Sequence, residues 1–226
     1  MIDNKPLANP VWEALTGRQS EHAIMGDNVA LYKPDTFFFA GIPEGSIEDM
    51  ERVAELCKTG EMVGLMGFNI EAEQPRFKRM GGVTAIQMIA DELPEYTPVD
   101  FVELTREDLP QMAELIKLTE PGPFLPNVID IGRYIGVKVD GKLVALAGER
   151  IKVEGYVEVS MVCSHPDHRR KGYAKGLSCE IMRKIFEDGD KPFLNVADYN
   201  TSAVELYKKL GFKVNRQYPL SVYMRQ

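Results

Sequence analysis

Short apolar segments separated by turn residues predict strands in the first half of the chain. They cover residues 29–33, 37–42, 62–68 and 83–90. Between the second and third segments, apolar residues recur at helical spacing, at Met50, Val53, Ala54 and Cys57. Ser46 before them is a favourable N-cap, and Gly60 after them is a typical helix stop. We therefore predict a small α/β unit.

The second half predicts a longer alternation of strands and helices. A strand near residue 101 precedes a helix over residues 105–119, which Thr105 and Asp108 can open as a capping box. The Asp140-Gly141 pair is a strong hairpin signal, and strand, helix, strand, helix and strand patterns follow. The order favours an α+β fold around one mixed sheet.

Two prolines interrupt the pattern over residues 92–100, which predicts a boundary there. We divide the chain into an N-terminal α/β domain, residues 1–98, and a second domain, residues 99–226. The connecting segment is too short for a long flexible tether, so we expect the halves to pack together. A diverged repeat of the second half within the first is a further interpretation.

Composition narrows the class of function. The chain has 226 residues and a formal net charge of −7, which argues against a generally basic nucleic-acid surface. No apolar run approaches membrane-spanning length, and the three cysteines have no paired spacing. We predict a cytoplasmic protein that binds neither nucleic acid nor membrane.

The segment SHPDHRRKGYAKG, residues 164–176, departs from this acidic background. A strand ends, basic residues follow, and a helical face begins at Ala174. The first amides of a helix lack intrahelical partners and favour an anion. Gly172 leaves the backbone open, so a pyrophosphate cradle is one interpretation and a solvated basic first turn is the other. The segment matches neither a P-loop nor a dinucleotide fingerprint.

Two motifs in the second half resemble the GNAT N-acetyltransferase superfamily. The first is Arg169-x-x-Gly172-x-Ala174 after a strand, which is similar to the acyl-CoA pyrophosphate loop of that family. The second runs from Asn200 through Tyr207 to Phe212. The resemblance covers residues 99–226, and residues 120–124 (EPGPF) are similar to the glycine-N-acyltransferase-like branch. It implies a GNAT-type mixed, mostly antiparallel sheet flanked by helices, preceded by a smaller domain that can be a degenerate GNAT-like half.

The resemblance also implies where acetyl-CoA binds. The end of the strand at residues 156–164 pairs with the pantetheine arm, and the Val162 N–H polarises the thioester carbonyl. Tyr207 protonates the departing thiolate, whereas spacing alone favours a core tyrosine. Carried over by position, the cofactor-binding residues are Val162, Cys163, Ser164, Arg169, Arg170, Lys171, Gly172, Tyr173, Ala174, Lys175, Asn200 and Tyr207.

The resemblance does not identify a single residue as the general base. Some GNAT enzymes carry a base glutamate at the position of Glu158, although four extended residues separate it from Val162 by about 13 Å. An exposed strand glutamate is the equal alternative. Glu149 is a further candidate, and Asn195 occupies another base position of the family but cannot act as a base.

We predict an N-acetyltransferase that moves an acetyl group from acetyl-CoA directly to a primary amine of a small molecule or peptide. The alternative is a non-catalytic acyl-CoA sensor. His165, His168 and Cys163 match no zinc signature, so we predict no metal. The N-terminal half is expected to shape the acceptor site, and the protein can form a homodimer.

Overall fold

A computed structural model describes residues 4–71 and 75–226. The helices are α1 (Pro10–Thr16), α2 (Ile47–Leu56), α3 (Leu109–Thr119), α4 (Tyr173–Glu187) and α5 (Thr201–Lys209). The strands are β1 (Ala23–Met25), β2 (Ala30–Tyr32), β3 (Phe39–Gly41), β4 (Met62–Met66), β5 (Phe77–Ile89), β6 (Val102–Glu103), β7 (Tyr134–Val139), β8 (Lys142–Val153), β9 (Tyr156–Ser164), β10 (Lys191–Ala197) and β11 (Lys213–Arg225).

These strands form one sheet in the order β1-β2-β3-β4-β11-β5-β10-β9-β8-β7-β6. Neighbours are antiparallel except β3 with β4 and β9 with β10, which are parallel. Helix α2 connects the first parallel pair and α4 the second, as crossover connections require. The predicted α+β class, with a mixed and mostly antiparallel sheet flanked by helices, is confirmed.

The two halves exchange a strand. β5 belongs to the first half, yet it lies between β10 and β11 of the second half. It pairs with β11 from Phe77–Arg225 to Ile89–Lys213 and with β10 from Ala85 to Ile89. The boundary predicted over residues 92–100 therefore divides the chain without dividing the sheet.

The topology of the first half repeats that of the second. In the first, β2 and β3 are antiparallel, α2 crosses over, β4 is parallel to β3, and β5 leaves the unit. In the second, β8 and β9 are antiparallel, α4 crosses over, β10 is parallel to β9, and β11 leaves after α5. The repeat that the residues alone left open is visible in this strand order.

Apolar residues cover both faces of the sheet. Val11 and Leu15 of α1 and Met112 and Leu115 of α3 pack in one buried cluster on the first face. On the other face, Met50 and Val53 of α2 form a second cluster, and Leu177, Ile181 and Ile185 of α4 form a third. Helix α1 contacts both β3 and β8, so it joins the halves. The sequence patterns missed this short helix because no side chain caps it.

The structure contains the caps and the hairpin turn that short sequence segments predicted. Ser46 and Thr105 each open a capping box, and Asp140 and Gly141 both adopt the positive φ that their hairpin turn requires. The segment after β5 is fixed to α4: the Tyr96 hydroxyl donates to Glu180 at 2.9 Å, and Val99 packs where Gly176 leaves room. The halves pack together as expected.

A carboxylate of α2 accepts hydrogen bonds from the backbone of the loop that precedes this helix. Asp49 Oδ2 accepts from the backbone amides of Glu44, Gly45 and Ser46 at 3.1, 2.9 and 3.2 Å. Asp49 is 2% exposed, so water cannot replace it easily. This junction is the topological counterpart of the loop before α4.

We expect Asp49→Ala to lower the free energy of unfolding by about 2 to 3 kcal/mol, because three partly buried amides lose a charged acceptor. Urea denaturation measures it. The control is Glu48→Ala, which removes only an exposed ion pair with Arg52 and should cost far less. Equal losses in the two variants would contradict this account.

Candidate functional site

A cleft opens where the parallel strands β9 and β10 separate. Their pairing runs from Tyr156–Lys191 to Glu158–Phe193 and is not continued, although both strands extend further. The resulting cleft has a volume of about 660 Å³. Ligands commonly bind where neighbouring parallel strands part, because backbone groups are left free there.

A β-bulge lies on the cleft side of β9. Ser160 pairs with Gly148 and Cys163 with Leu146, so Met161 and Val162 both face Ala147. Met161 has φ +55°, an uncommon value for a side chain of this size. A bulge leaves its extra residue outside the ladder. The strand end therefore offers backbone hydrogen-bonding groups to a ligand, and residues 159–164 all line the cleft.

The basic loop leads into an uncapped helix. Gly172 is the N-cap of α4, with φ +82° and no side-chain cap. A Cβ at Gly172 would meet nothing within 4 Å. Glycine is therefore favoured here by its positive φ and not by a lack of space for a side chain. Arg169, Arg170 and Lys175 line the cleft beside the free first-turn amides. Lys171 does not line it, and its Nζ lies 3.4 Å from His168 Nδ1.

Helix α5 supplies the opposite wall. Asn200 Oδ1 accepts from the Ala203 amide at 3.3 Å, so the asparagine caps the helix and also lines the cleft. Tyr207 lines the cleft two turns later, and its ring packs edge-on against Phe212 at 5.8 Å. The tyrosine is therefore both a packing residue and a cleft residue.

Burial raises the pKa of Tyr207 to about 12, with smaller contributions from Cys163 and Glu158. The phenol is consequently protonated throughout the physiological range. Burial also raises the pKa of Cys163 to about 11, which keeps the thiol protonated and argues against a nucleophilic role. The Thr119 hydroxyl contacts this thiol, and thereby ties the end of α3 to the bulged strand.

Glu158 does not occupy the position that its predicted role requires. It is 1% exposed and does not line the cleft. Its carboxylate accepts from Arg150 Nε and Nη2, both at 2.9 Å, and from Asn195 Nδ2 at 2.8 Å. These donors hold the carboxylate behind the cleft lining, and a catalytic role for Glu158 stays a prediction. Simple alternation would place Glu158 and Val162 on one face of β9, but the bulge puts them on opposite faces.

Glu149, the other carboxylate candidate, is also fully buried. It pairs with Arg133 and, at 3.0 Å, with Lys152. It does not line the cleft either, so the geometry favours neither glutamate as the base.

Residues of both halves line the cleft. Met66 and Val83 of the first half each pair with Leu220 of β11, and with Ala85 they form the part of the lining that we call the second arm. Arg150 and Asn195 also line the cleft, as do residues 119–123 at the end of α3. Sequence patterns missed this arm because the strand exchange brings its residues together.

Among residues 4–71 and 75–226, no group of three or more potential metal ligands is assembled. In the same two ranges, no helix has both the length and the apolar character needed to span a bilayer.

Comparisons with known proteins agree with this geometry. Residues 134–220 match the family described as FR47-like protein. A solved structure from Novosphingobium aromaticivorans, assigned to the GNAT acetyltransferases, is 31% identical, covers 98% of this chain and 99% of its own, and superimposes with a TM-score of 0.90.

The chain belongs to the GNAT family. Two more distant structures share the fold. A GCN5-related N-acetyltransferase from Kribbella flavida is 15% identical with a TM-score of 0.62, covering 97% of this chain and 95% of its own. A GCN5-related N-acetyltransferase-like protein from Streptococcus suis is 18% identical with a TM-score of 0.59, covering 96% and 92%. No curated protein matches.

Membership of GNAT supports acyl transfer in general, and acetyl-CoA is the donor that the family implies. The residues present fit that donor. An uncapped helix start with Arg169, Arg170 and Lys175 suits a pyrophosphate, and a bulged strand suits the pantetheine amides.

We expect Gly172→Glu to weaken acetyl-CoA binding by more than tenfold, because it places a carboxylate at the predicted pyrophosphate site. Calorimetric titration measures it. The matched control is Gly189→Glu: Gly189 has φ +85° and equally open space, but lies beyond the other end of α4. Unchanged affinity in Gly172→Glu would place the pyrophosphate elsewhere.

The Arg150–Glu158 pair gives a second prediction. Arg150→Met and Glu158→Leu should each lower stability by about 3 to 5 kcal/mol, because each leaves a buried charge unpaired. The double variant should lose much less than the sum of the two. Urea denaturation of the three variants tests this, and Glu205→Gln, in an exposed pair with Lys208, should change stability little. Additive losses would contradict the coupling.

Proposed function

We propose that this GNAT protein transfers an acetyl group from acetyl-CoA to a primary amine by direct attack in a ternary complex. The observation that carries the proposal is the shared cleft. One cleft contains an uncapped basic helix start, a bulged strand and a protonated tyrosine, and it continues into an arm where an acceptor can lie. Proximity of the two reactants in such a cleft is itself a large part of catalysis.

The donor binds along the first arm. Its pyrophosphate accepts hydrogen bonds from the amides of the first turn of α4 and from the side chains of Arg169, Arg170 and Lys175. Its pantetheine arm pairs with Val162, Cys163 and Ser164. Tyr173, Ala174 and Asn200 complete the contacts. Lys171, which does not line the cleft, contributes charge at longer range.

The reaction follows from this placement. The neutral amine attacks the thioester carbon, and the Val162 N–H stabilises the negative charge that develops on the carbonyl oxygen. The carbon–sulfur bond then breaks, and the thiolate takes a proton from Tyr207. The nitrogen gives up its extra proton to water, and Tyr207 regains one from solvent. The products are an amide and CoA.

The first half contributes the acceptor site in this proposal. Residues 1–98 supply Met66, Val83 and Ala85 to the acceptor arm, and residues 99–226 supply the donor site. The assignment to the glycine-N-acyltransferase-like branch, a cytoplasmic location and a homodimer stay predictions.

A non-catalytic acyl-CoA sensor is the second candidate. Two features support catalysis over sensing. Within the described ranges the Tyr207 hydroxyl makes no hydrogen bond, so it is available to a thiolate. The acceptor arm would also serve no purpose in a protein that binds only acyl-CoA.

We expect Tyr207→Phe to lower kcat by about 10²- to 10⁴-fold with little change in acetyl-CoA affinity, because the ring packing is kept. Steady-state kinetics with an amine acceptor and calorimetry separate the two effects. Tyr96→Phe, which loses a hydroxyl outside the cleft, is the control. Unchanged kcat in Tyr207→Phe would leave the tyrosine a packing residue.

The pH dependence gives an independent check. The acid must be protonated, and with a pKa near 12 it stays so up to about pH 10. The wild-type kcat should therefore show no alkaline decline from Tyr207 below pH 10. A decline below pH 10 that disappears in Tyr207→Phe would contradict the raised pKa.

A further inference from the structure

Charge is distributed unevenly along the cleft. Its donor arm is basic, with Arg169, Arg170 and Lys175. In the acceptor arm, the charge of Arg150 is compensated by Glu158 through two hydrogen bonds of 2.9 Å. Among the described residues that line the cleft, Glu120 is the single aspartate or glutamate. One cleft thus has a positive end for an anion and one uncompensated negative side chain elsewhere.

Glu120 has an unusual backbone. It is the C-cap of α3, with φ +48° and ψ +50°, a left-handed conformation that glycine or asparagine normally occupies there. Its amide donates to the Ile116 carbonyl at 2.7 Å, so the conformation is fixed by the helix end. A glutamate in this conformation is strained, and strained residues at clefts indicate function.

The position of Glu120 is tied to the reacting centre. Thr119, its neighbour, donates to Leu115 at 2.7 Å and contacts the Cys163 thiol. Cys163 directly follows the bulge at Met161 and Val162. A chain of covalent and hydrogen-bonded neighbours therefore holds Glu120 beside the strand where the thioester would lie. Pro121 follows and restricts the backbone further.

The Glu120 carboxylate is available. Its side chain is exposed, and within residues 4–71 and 75–226 it has neither a hydrogen bond nor an ion pair. The rest of the acceptor arm is mainly apolar, and the side chains that make it so are Met66, Val83, Ala85, Pro121, Pro123 and Leu220. A ligand that is complementary to this surface carries one positive charge next to an apolar group.

We infer that Glu120 is the specificity-determining residue for the acceptor. It binds the ammonium group of a monoamine whose remaining body is uncharged and largely apolar. This rests on the proposed function and adds the substrate class. A charge-assisted hydrogen bond holds the amine near the bulge before it loses its proton, and the apolar walls take the body. A carboxylate on the acceptor would meet Glu120 as a like charge.

The test compares wild type with Glu120→Gln, which keeps the size and the left-handed backbone but removes the charge. Glu114→Gln, on an exposed face of α3 outside the cleft, is the matched control. The probes are phenethylamine, a monoamine with an apolar body, and glycine, which carries a carboxylate. The measurements are acetylation kinetics and calorimetric titration of each amine into the CoA complex.

We expect wild type to favour phenethylamine over glycine by at least tenfold in kcat/KM. Glu120→Gln should raise the phenethylamine KM at least tenfold and weaken its binding to the CoA complex, with the acetyl-CoA affinity unchanged. Glu114→Gln should match wild type. A preference for glycine, or unchanged phenethylamine binding in Glu120→Gln, overturns the inference.

The two proposals fail differently. Phenethylamine binding that depends on Glu120 without acetyl transfer to either amine retains the inference and overturns the proposed function. Transfer that is insensitive to Glu120 retains the function and overturns the inference. Absence of both binding and transfer overturns both.

Discussion

The pairing of β5 with β11 is the interaction on which the rest of the structure depends. These two strands run side by side along their whole length, and each comes from a different half of the chain. Without β5, β10 and β11 would each lose one of their two neighbours. Exposed edges of this kind are open to pairing with other chains. The exchange makes each half a necessary part of the other's sheet.

The same exchange builds the candidate acceptor arm. Because β5 lies next to β10, Val83 and Ala85 come to face the parting of β9 and β10. The Tyr218 hydroxyl of β11 reaches Asn195 on β10, whose amide donates to Glu158. A polar network therefore passes from β11 to β10 across β5, the first-half strand that lies between them. Buried networks of this kind fix one arrangement only when their members are satisfied, and Glu158 has a donor from both β8 and β10.

How far the sequence predicts this molecule depends on the range of each interaction. The caps at Ser46 and Thr105 and the turn at Asp140-Gly141 were predictable because each is made within a few residues. The loop before α4 was predictable for the same reason. The partners of Glu158 were not predictable, because its ion pair with Arg150 depends on how two strands meet across a bulge. The predicted strand over residues 83–90 covers only the end of β5, because residues 77–82 are rich in polar residues and glycine and become strand through their pairing with β11.

The two strand-to-helix junctions differ in what pairs with the free backbone amides at and before the start of the helix. The junction before α2 carries its own anion, Asp49, whereas the junction before α4 has no side-chain cap. If the anion for α4 is the donor pyrophosphate, as proposed, the two junctions differ in thermodynamic linkage. Binding at the junction before α4 then stabilises the folded protein to a degree that varies with donor concentration, by about 2.7 kcal/mol at one hundred times the dissociation constant. The junction before α2 adds no such dependence, because its anion is part of the chain and its effective concentration never changes.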